Sequence, residues 1–100
     1  MRPSLEHLSA VVGRVVADYD VREAYVFGSF ARGEQEAASD IDLRLACGPS
    51  MTYGVLLEIA ERLEAELGCA VDLITNPPER MRPAFREHIL REEVLLYEAA

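Results

Sequence analysis

The stretch that decides the fold runs from Ala24 to Leu45 and reads AYVFGSFARGEQEAASDIDLRL. Its first four residues are apolar and stop at Gly28, which predicts a buried strand that ends in a tight turn. Its last six residues, 40–45, alternate between polar and apolar side chains, which predicts a second strand with one buried face. The intervening residues 28–39 are small and polar and show no sheet pattern. We therefore expect two neighbouring strands joined by a polar loop.

The rest of the chain predicts a small sheet covered by helices, in one α/β domain over residues 1–100. Apolar side chains recur at helical spacing over residues 5–19 and 56–67, and Gly68 is suited to end the second helix. Three further segments are a strand over residues 69–74, a helix over 83–91, and residues 94–97, whose periodicity does not distinguish a strand from a continuing helix.

Charge and cysteine content exclude several classes of function. The 100 residues carry a formal net charge of −8, and all ten basic residues are arginine. The absence of lysine excludes Schiff-base and P-loop lysine chemistry. The acidic balance argues against stable nucleic-acid binding, although it permits a nucleotide held through a metal ion. Two cysteines are too few for a disulfide scaffold, and no apolar segment suits a signal peptide or a membrane span. We expect a cytoplasmic protein.

Three aspartates and a glycine–serine pair form the candidate site. Asp40 and Asp42 lie two residues apart on a strand, so their side chains point the same way and their Cα atoms lie roughly 6.5–7 Å apart. Both carboxylates can then reach one or two hard cations. Asp72 interrupts an apolar strand, where an unpaired charge is costly. Gly28 and Ser29 supply a turn with donors suited to a phosphate. Together they predict a two-metal site for phosphoryl or nucleotidyl transfer.

Each of these residues also has a structural interpretation. An Asp-x-Asp pair can simply mark the solvent-exposed face of a strand. Asp72 can be a paired structural acid, and Ser29 can cap a helix that starts at Phe30. Arg44 shares the face of the two aspartates, where it could contact a nucleotide or form an ion pair with a nearby carboxylate. Three aromatic residues are expected in the core: Tyr25, Phe27 and Phe85.

Three short segments carry a resemblance to a known family. They are residues 28–34 (GSFARGE), 39–43 (SDIDL) and 71–73 (VDL). In residue type and spacing they resemble the minimal nucleotidyltransferases, also called MntA-type antitoxins, of the DNA polymerase beta nucleotidyltransferase superfamily. The resemblance extends over nearly the whole chain. It implies the nucleotidyltransferase palm fold, an α+β arrangement in which one small mixed sheet is covered by helices.

The resemblance implies a role for each candidate site residue. It implies that Asp40 and Asp42 bind two Mg²⁺ ions, one of which holds the triphosphate of ATP while the other activates the acceptor hydroxyl. It implies that Asp72 is the third carboxylate, a ligand of the acceptor-side metal and a candidate general base. Contacts to the triphosphate are implied for Gly28, Ser29 and Arg32.

The short chain narrows the implied function. A palm of 100 residues has room for ATP and metal ions but little surface for an acceptor, so the acceptor is expected on a partner. Family members of this size are similar to antitoxins that transfer AMP from ATP to a tyrosine of a HEPN-domain ribonuclease toxin, and this is the function that we expect. Two alternatives stay open. One is a small-molecule nucleotidyltransferase whose acceptor pocket is completed by a partner subunit or a homodimer, and the other is a non-enzymatic antitoxin that occludes its toxin.

Overall fold

A computed structural model describes residues 4–31, 40–75 and 80–99, with the backbone alone described for Ser29 and Phe30. Helices and strands alternate along this part of the chain. They are α1 (Leu5–Val16), β1 (Val21–Phe27), α2 (Gly28–Ala31), β2 (Ile41–Cys47), α3 (Tyr53–Leu67), β3 (Val71–Ile74), α4 (Pro83–Glu92) and β4 (Val94–Glu98). In the described residues, no helix is long and apolar enough to cross a bilayer.

The four strands form one mixed sheet in the order β3-β2-β1-β4. Strand β1 lies antiparallel to both β2 and β4, whereas β2 and β3 are parallel. The parallel pair needs a crossover connection, which α3 supplies. The prediction of one small mixed sheet covered by helices is confirmed. Residues 94–97, which the sequence left undecided, belong to β4 at one edge of the sheet.

One face of the sheet forms the hydrophobic core with α1 and α3. On β2, the alternating side chains of Ile41, Leu43 and Leu45 are all fully buried on this face. From the helices, Leu8 and Leu63 pack into the same cluster and are also fully buried. Burying a leucine or isoleucine side chain contributes about 1.5–3 kcal/mol. This face therefore supplies most of the stability of a small domain.

The first helix and the first strand differ from their predicted bounds. Helix α1 ends at Val16 rather than at Tyr19, because the N–H groups of Asp18 and Tyr19 donate to carbonyl groups three residues earlier and tighten the chain into a turn. Strand β1 then begins at Val21, opposite Cys47 of β2. Its first three residues precede the apolar run that predicted the strand.

The bounds of α3 follow from its capping residues, and β3 is shorter than predicted. Helix α3 begins at Tyr53, three residues earlier than predicted, because the Thr52 side chain accepts a hydrogen bond of 3.2 Å from the N–H of Val55. Gly68 ends the helix with a left-handed φ of 73°, as expected from the sequence. Strand β3 begins at Val71, two residues later than predicted.

Candidate active site

The second face of the sheet carries the candidate site. Phe27 at the end of β1 lies opposite Asp42 of β2, and Asp42 lies opposite Asp72 of β3. Side chains of directly opposite residues project from the same face of a sheet. Because Asp42 alternates with the buried Ile41 and Leu43, that face is the one turned away from the core. The register thus aligns the end of β1 with two of the predicted carboxylates.

Gly28 makes room for the Asp42 carboxylate. It follows β1 directly and has a left-handed φ of 74°. A Cβ atom at this position would lie only 2.6 Å from Oδ2 of Asp42. Both the backbone conformation and the close approach therefore favour glycine. Gly28 begins α2, so the prediction of a loop from residue 28 is wrong for Gly28–Ala31. The junction between β1 and α2 lies directly beside a predicted metal ligand.

The three aspartates differ in their surroundings. Asp40 is exposed and immediately precedes β2, whereas Asp42 is half-buried. Asp72 is exposed on β3, which is an edge strand. The expectation that Asp72 occupies a costly position inside the sheet is wrong, because an edge strand leaves its carboxylate in water. What singles out Asp72 is its register opposite Asp42.

The structure brings only part of the predicted ligand set together. In residues 4–31, 40–75 and 80–99, no group of three or more histidine, cysteine, aspartate or glutamate side chains is arranged to hold a metal ion. The ligand roles of Asp40, Asp42 and Asp72 stay predictions. Arg32 and the hydroxyl group of Ser29 lie outside the described residues, so their predicted phosphate contacts also stay predictions.

The donor chemistry nevertheless fits magnesium. Carboxylate oxygens are hard ligands, and Mg²⁺ is usually held by one or two carboxylates together with water and substrate phosphates. Asp42 and Asp72 supply such a pair from neighbouring strands. The absence of a Cβ at Gly28 lets the Asp42 carboxylate lie directly against the backbone at the end of β1, where the predicted phosphate donors begin. The residues present therefore suit a magnesium ion shared with a bound triphosphate.

Arg44 lies on the same face but is already paired. Its side chain is nearly buried, and it donates two hydrogen bonds to Glu93, from Nε to Oε2 at 2.9 Å and from Nη2 to Oε1 at 2.8 Å. The guanidinium group also lies 4.4 Å from the centre of the Tyr25 ring. Hydrogen bonding to Glu93 raises the pKa of Arg44 above its ordinary value, against the opposing effect of burial. Of the two roles left open for Arg44, the ion pair is the one observed.

The pair between Arg44 and Glu93 joins β2 to the chain just after α4. Glu93 follows the last residue of that helix, and its side chain is only 9% exposed. A two-pronged contact between arginine and carboxylate fixes orientation as well as distance. Tyr25 completes the cluster, and burial, with a hydrogen bond to Glu23 as a second cause, raises the pKa of its hydroxyl group. This cluster holds the C-terminal end of α4 over the site face.

The prediction that three aromatic residues lie in the core is wrong. Tyr25 and Phe27 are half-buried and lie outside the core cluster. Phe85 has a side chain that is 43% exposed. Its ring meets the Phe27 ring edge-to-face, with 6.4 Å between the centres. An open pocket of about 330 Å³ lies beside it, lined by Ile74, Arg80, Met81, Arg82 and Phe85. Sequence reasoning missed this pocket and also Glu93, because no local motif distinguishes these residues from an ordinary helix and its flanks.

Comparison with known proteins identifies the family. Residues 12–100 match the family described as polymerase beta, nucleotidyltransferase. The chain belongs to that family. It is a nucleotidyltransferase, as predicted from the segments around Gly28, Asp42 and Asp72.

Two archaeal relatives connect the chain with a smaller group inside this family, the protein adenylyltransferases. The chain is 36% identical to the protein adenylyltransferase MntA of Thermococcus cleftensis, and the match covers 76% of this chain and 75% of the relative. It is 34% identical to a protein of Methanocaldococcus jannaschii named as a candidate protein adenylyltransferase, over 80% of this chain and 84% of the relative. Both matches extend well beyond the short motifs of the site. The resemblance to minimal nucleotidyltransferases is confirmed.

Solved structures confirm the fold. A candidate minimal nucleotidyltransferase matches with a TM-score of 0.68 at 34% identity, covering 92% of this chain and 95% of the other. A toxin–antitoxin crystal structure with AMP-PNP matches with a TM-score of 0.75 at 20% identity, covering 91% and 73%. The complex of tri-AMPylated Shewanella oneidensis HEPN toxin with MNT antitoxin matches with a TM-score of 0.70 at 16% identity, covering 96% and 74%. The last two likenesses concern the fold alone.

Proposed function

We propose that this chain is a magnesium-dependent adenylyltransferase that transfers AMP from ATP to a tyrosine of a HEPN-domain ribonuclease toxin and thereby acts as its antitoxin. The observation that carries the proposal is the alignment of the Gly28 turn, Asp42 and Asp72 across three neighbouring strands in a member of this family. A relative named protein adenylyltransferase MntA supports the choice of AMP as the transferred group. Fold neighbours that contain an AMPylated HEPN toxin support the choice of acceptor.

The proposed reaction is an in-line displacement at the α-phosphorus of ATP. The acceptor oxygen forms a bond to phosphorus while the bond to the bridging oxygen of pyrophosphate breaks. Asp72 accepts the proton of the tyrosine hydroxyl, directly or through water, and pyrophosphate leaves toward the Gly28 turn. Two bound magnesium ions would supply positive charge for the triphosphate and the leaving pyrophosphate. Asp40 and Asp42 would hold these ions beside the phosphates, and Asp72 would be the ligand of the ion on the acceptor side.

Triphosphate recognition falls to the turn after β1 in this proposal. Backbone N–H groups at Gly28 and Ser29, with the Ser29 hydroxyl, are the donors for the β- and γ-phosphates. Arg32 adds a positive charge beside them. Arg44 is left out of this set because its Nε and Nη2 groups already donate hydrogen bonds to Glu93.

Partner and compartment follow from the same proposal. The chain works with a HEPN toxin in a complex, with ATP as its substrate and without stable nucleic-acid binding. The net charge of −8 supports this exclusion, because phosphate backbones are bound by clustered positive charge. The cytoplasm is the proposed location, since ATP is available there and both cysteines are thiols that suit a reducing compartment.

The test is a transfer assay with a HEPN-domain protein, sought first in the gene next to that of this protein. The purified chain is incubated with the toxin, magnesium and ATP labelled at the α-phosphate. We expect label on a toxin tyrosine, located by mass spectrometry, and loss of ribonuclease activity. The matched control carries Asp40→Asn with Asp42→Asn, which keeps the size of both side chains and removes their charges.

Three outcomes would contradict the proposal. If a chain with an intact site leaves the toxin unlabelled, the toxin is not the acceptor of AMP. Label on a small molecule in an acceptor screen with the complex would favour the small-molecule alternative. Neutralisation of the toxin by the double variant, despite lost transfer, would favour occlusion without catalysis.

A further inference from the structure

The pocket beside Phe85, here called the α4 pocket and lined by Ile74, Arg80, Met81, Arg82 and Phe85, lies on the site face of the sheet. Ile74 lies two residues after Asp72 on β3, so both side chains project from the same face. Phe85 contacts Phe27, which is the register partner of Asp42. The pocket therefore adjoins the site: Ile74 forms its wall on β3, and Phe85 reaches across to the end of β1 beside Gly28.

The wall of the α4 pocket on β3 lies on the side from which the attacking hydroxyl group approaches in the proposed displacement. In an in-line reaction the attacking and leaving oxygens lie on opposite sides of the phosphorus atom. The proposed leaving pyrophosphate lies at the Gly28 turn on β1, while Asp72 lies two strands away on the edge strand β3. The attacking hydroxyl group must therefore approach from the side of β3. The α4 pocket is a concave surface that has Ile74 of β3 in its lining and so opens on that side.

The lining chemistry suits an aromatic side chain with acidic neighbours. Ile74, Met81 and Phe85 supply an apolar floor, and Phe85 keeps 43% of its side chain exposed for a further ring contact. Arg80 and Arg82 are exposed at the rim. The described residues that line the pocket include no aspartate or glutamate, although the chain as a whole has a net charge of −8. This local excess of positive charge complements an acidic partner surface.

We propose that the α4 pocket receives the acceptor tyrosine of the partner, with its ring against Phe85 and flanking acidic residues of the partner against Arg80 and Arg82. The inference rests on the proposed function, because it names the surface that recognises the acceptor. An edge strand borders the pocket, so a protein segment can enter without unfolding any part of the sheet. A volume of about 330 Å³ suits one aromatic side chain with part of its backbone.

The test measures toxin binding and nucleotide binding separately. The pocket variants are Arg80→Glu with Arg82→Glu, and Phe85→Ala. For each, we measure the dissociation constant for the toxin, the dissociation constant for AMP-PNP with magnesium, and the KM for toxin in the transfer assay. We expect the constants for the toxin to rise on the order of tenfold or more, since reversal of rim charges replaces attraction by repulsion. The constant for AMP-PNP should stay within about twofold.

The matched control is Arg91→Glu. Arg91 is an exposed arginine in the last turn of the same helix, away from the pocket, so this variant makes the same kind of charge change without touching the lining. Circular dichroism melts check folding. The arginine variants are suited to this comparison because both side chains are exposed. Should Phe85→Ala melt early, Phe85→Leu replaces it and keeps an apolar contact to Phe27.

The outcomes separate this inference from the proposed function. Two results would overturn the proposal that the α4 pocket receives the acceptor tyrosine. One is equal weakening of toxin binding by the pocket variants and by Arg91→Glu, and the other is unchanged toxin binding in all of these variants. Weakened AMP-PNP binding with unchanged toxin binding would assign the pocket to the nucleotide instead. Absence of AMP transfer by the wild-type chain would count against the proposed function, while selective loss of toxin binding in the pocket variants would still support the docking surface.

Discussion

The two faces of β2 show how this small domain separates stability from chemistry. Asp42 and Leu43 are neighbours in the chain, yet Asp42 projects toward the site and Leu43 is fully buried in the core. The core face is aliphatic and closed by α1 and α3. The site face carries carboxylates and a buried ion pair. Because one face supplies the packing, the other can hold charged groups whose removal leaves the core intact.

This contrast is not complete, because the site face also contributes to the fold. Arg44 and Glu93 are both nearly buried and bind each other through two hydrogen bonds. Their separation is 49 residues in sequence, so the pair joins β2 to the C-terminal part of the chain. Charged groups on one face therefore have two roles, chemistry at Asp42 and orientation at Arg44. The four predictions below test this division.

The largest expected effect is on catalysis at Asp42. Asp42→Asn should lower the rate of AMP transfer about a thousandfold, because the charge stabilisation supplied at a metal site amounts to several kcal/mol and each 1.4 kcal/mol is a factor of ten. The free energy of unfolding should change little, since the core face is untouched. Transfer rates and urea unfolding of the same preparation check both statements. A large loss of stability would contradict the separation of the two faces.

The second effect is on the buried ion pair. Arg44→Met leaves the Glu93 carboxylate buried without its partner, and we expect a destabilisation of about 3–5 kcal/mol. Adding Glu93→Leu should restore most of the stability, since an apolar pair of similar size removes the buried charge altogether. Chemical unfolding of the single and double variants measures the difference. An Arg44→Met variant as stable as the wild type would show that the pair is dispensable.

The third effect is on packing at the neighbour of Asp42. Leu43→Ala should destabilise the protein by about 2–5 kcal/mol, because it leaves a cavity among fully buried side chains. The rate of AMP transfer per folded molecule should change far less than in Asp42→Asn. Activity below the melting temperature, corrected for the folded fraction, provides the measurement. A catalytic loss as large as that of Asp42→Asn would contradict the comparison.

The smallest effect is expected at Gly28. Alanine there would adopt a left-handed backbone at a cost of about 1–2 kcal/mol. Its Cβ would also meet Oδ2 of Asp42 at 2.6 Å, so the carboxylate must shift. We expect a measurable loss of transfer rate together with this modest destabilisation. Gly54→Ala is the matched control, because a Cβ at Gly54 meets no atom within 4 Å.

The sequence singled out Gly28, Asp42 and Asp72, which the fold aligns, but it did not predict their surroundings, and their functional roles stay predictions. Gly28, Asp42 and Asp72 stand out locally, because a glycine after an apolar run and a carboxylate within one are each unusual. Their alignment across three strands agrees with the expectation from the residues. The reason offered for Asp72 was wrong, since the position of a strand within the sheet is not encoded by its own residues. Phe85 was misplaced for a similar reason, as an apolar residue near a helix start does not reveal which face it joins.

By itself, the sequence determined most of the helices and strands and the resemblance to the nucleotidyltransferase family, because periodicity and short motifs are local properties of the chain. It did not reveal α2, which occupies the start of the segment predicted as a loop. Only the tertiary structure decided that Val94–Glu98 is an edge strand, that Arg44 binds Glu93, and that Phe85 borders an open pocket beside Asp72. These features depend on contacts between residues that are distant in sequence. Such contacts form only when the sheet order β3-β2-β1-β4 brings the segments together.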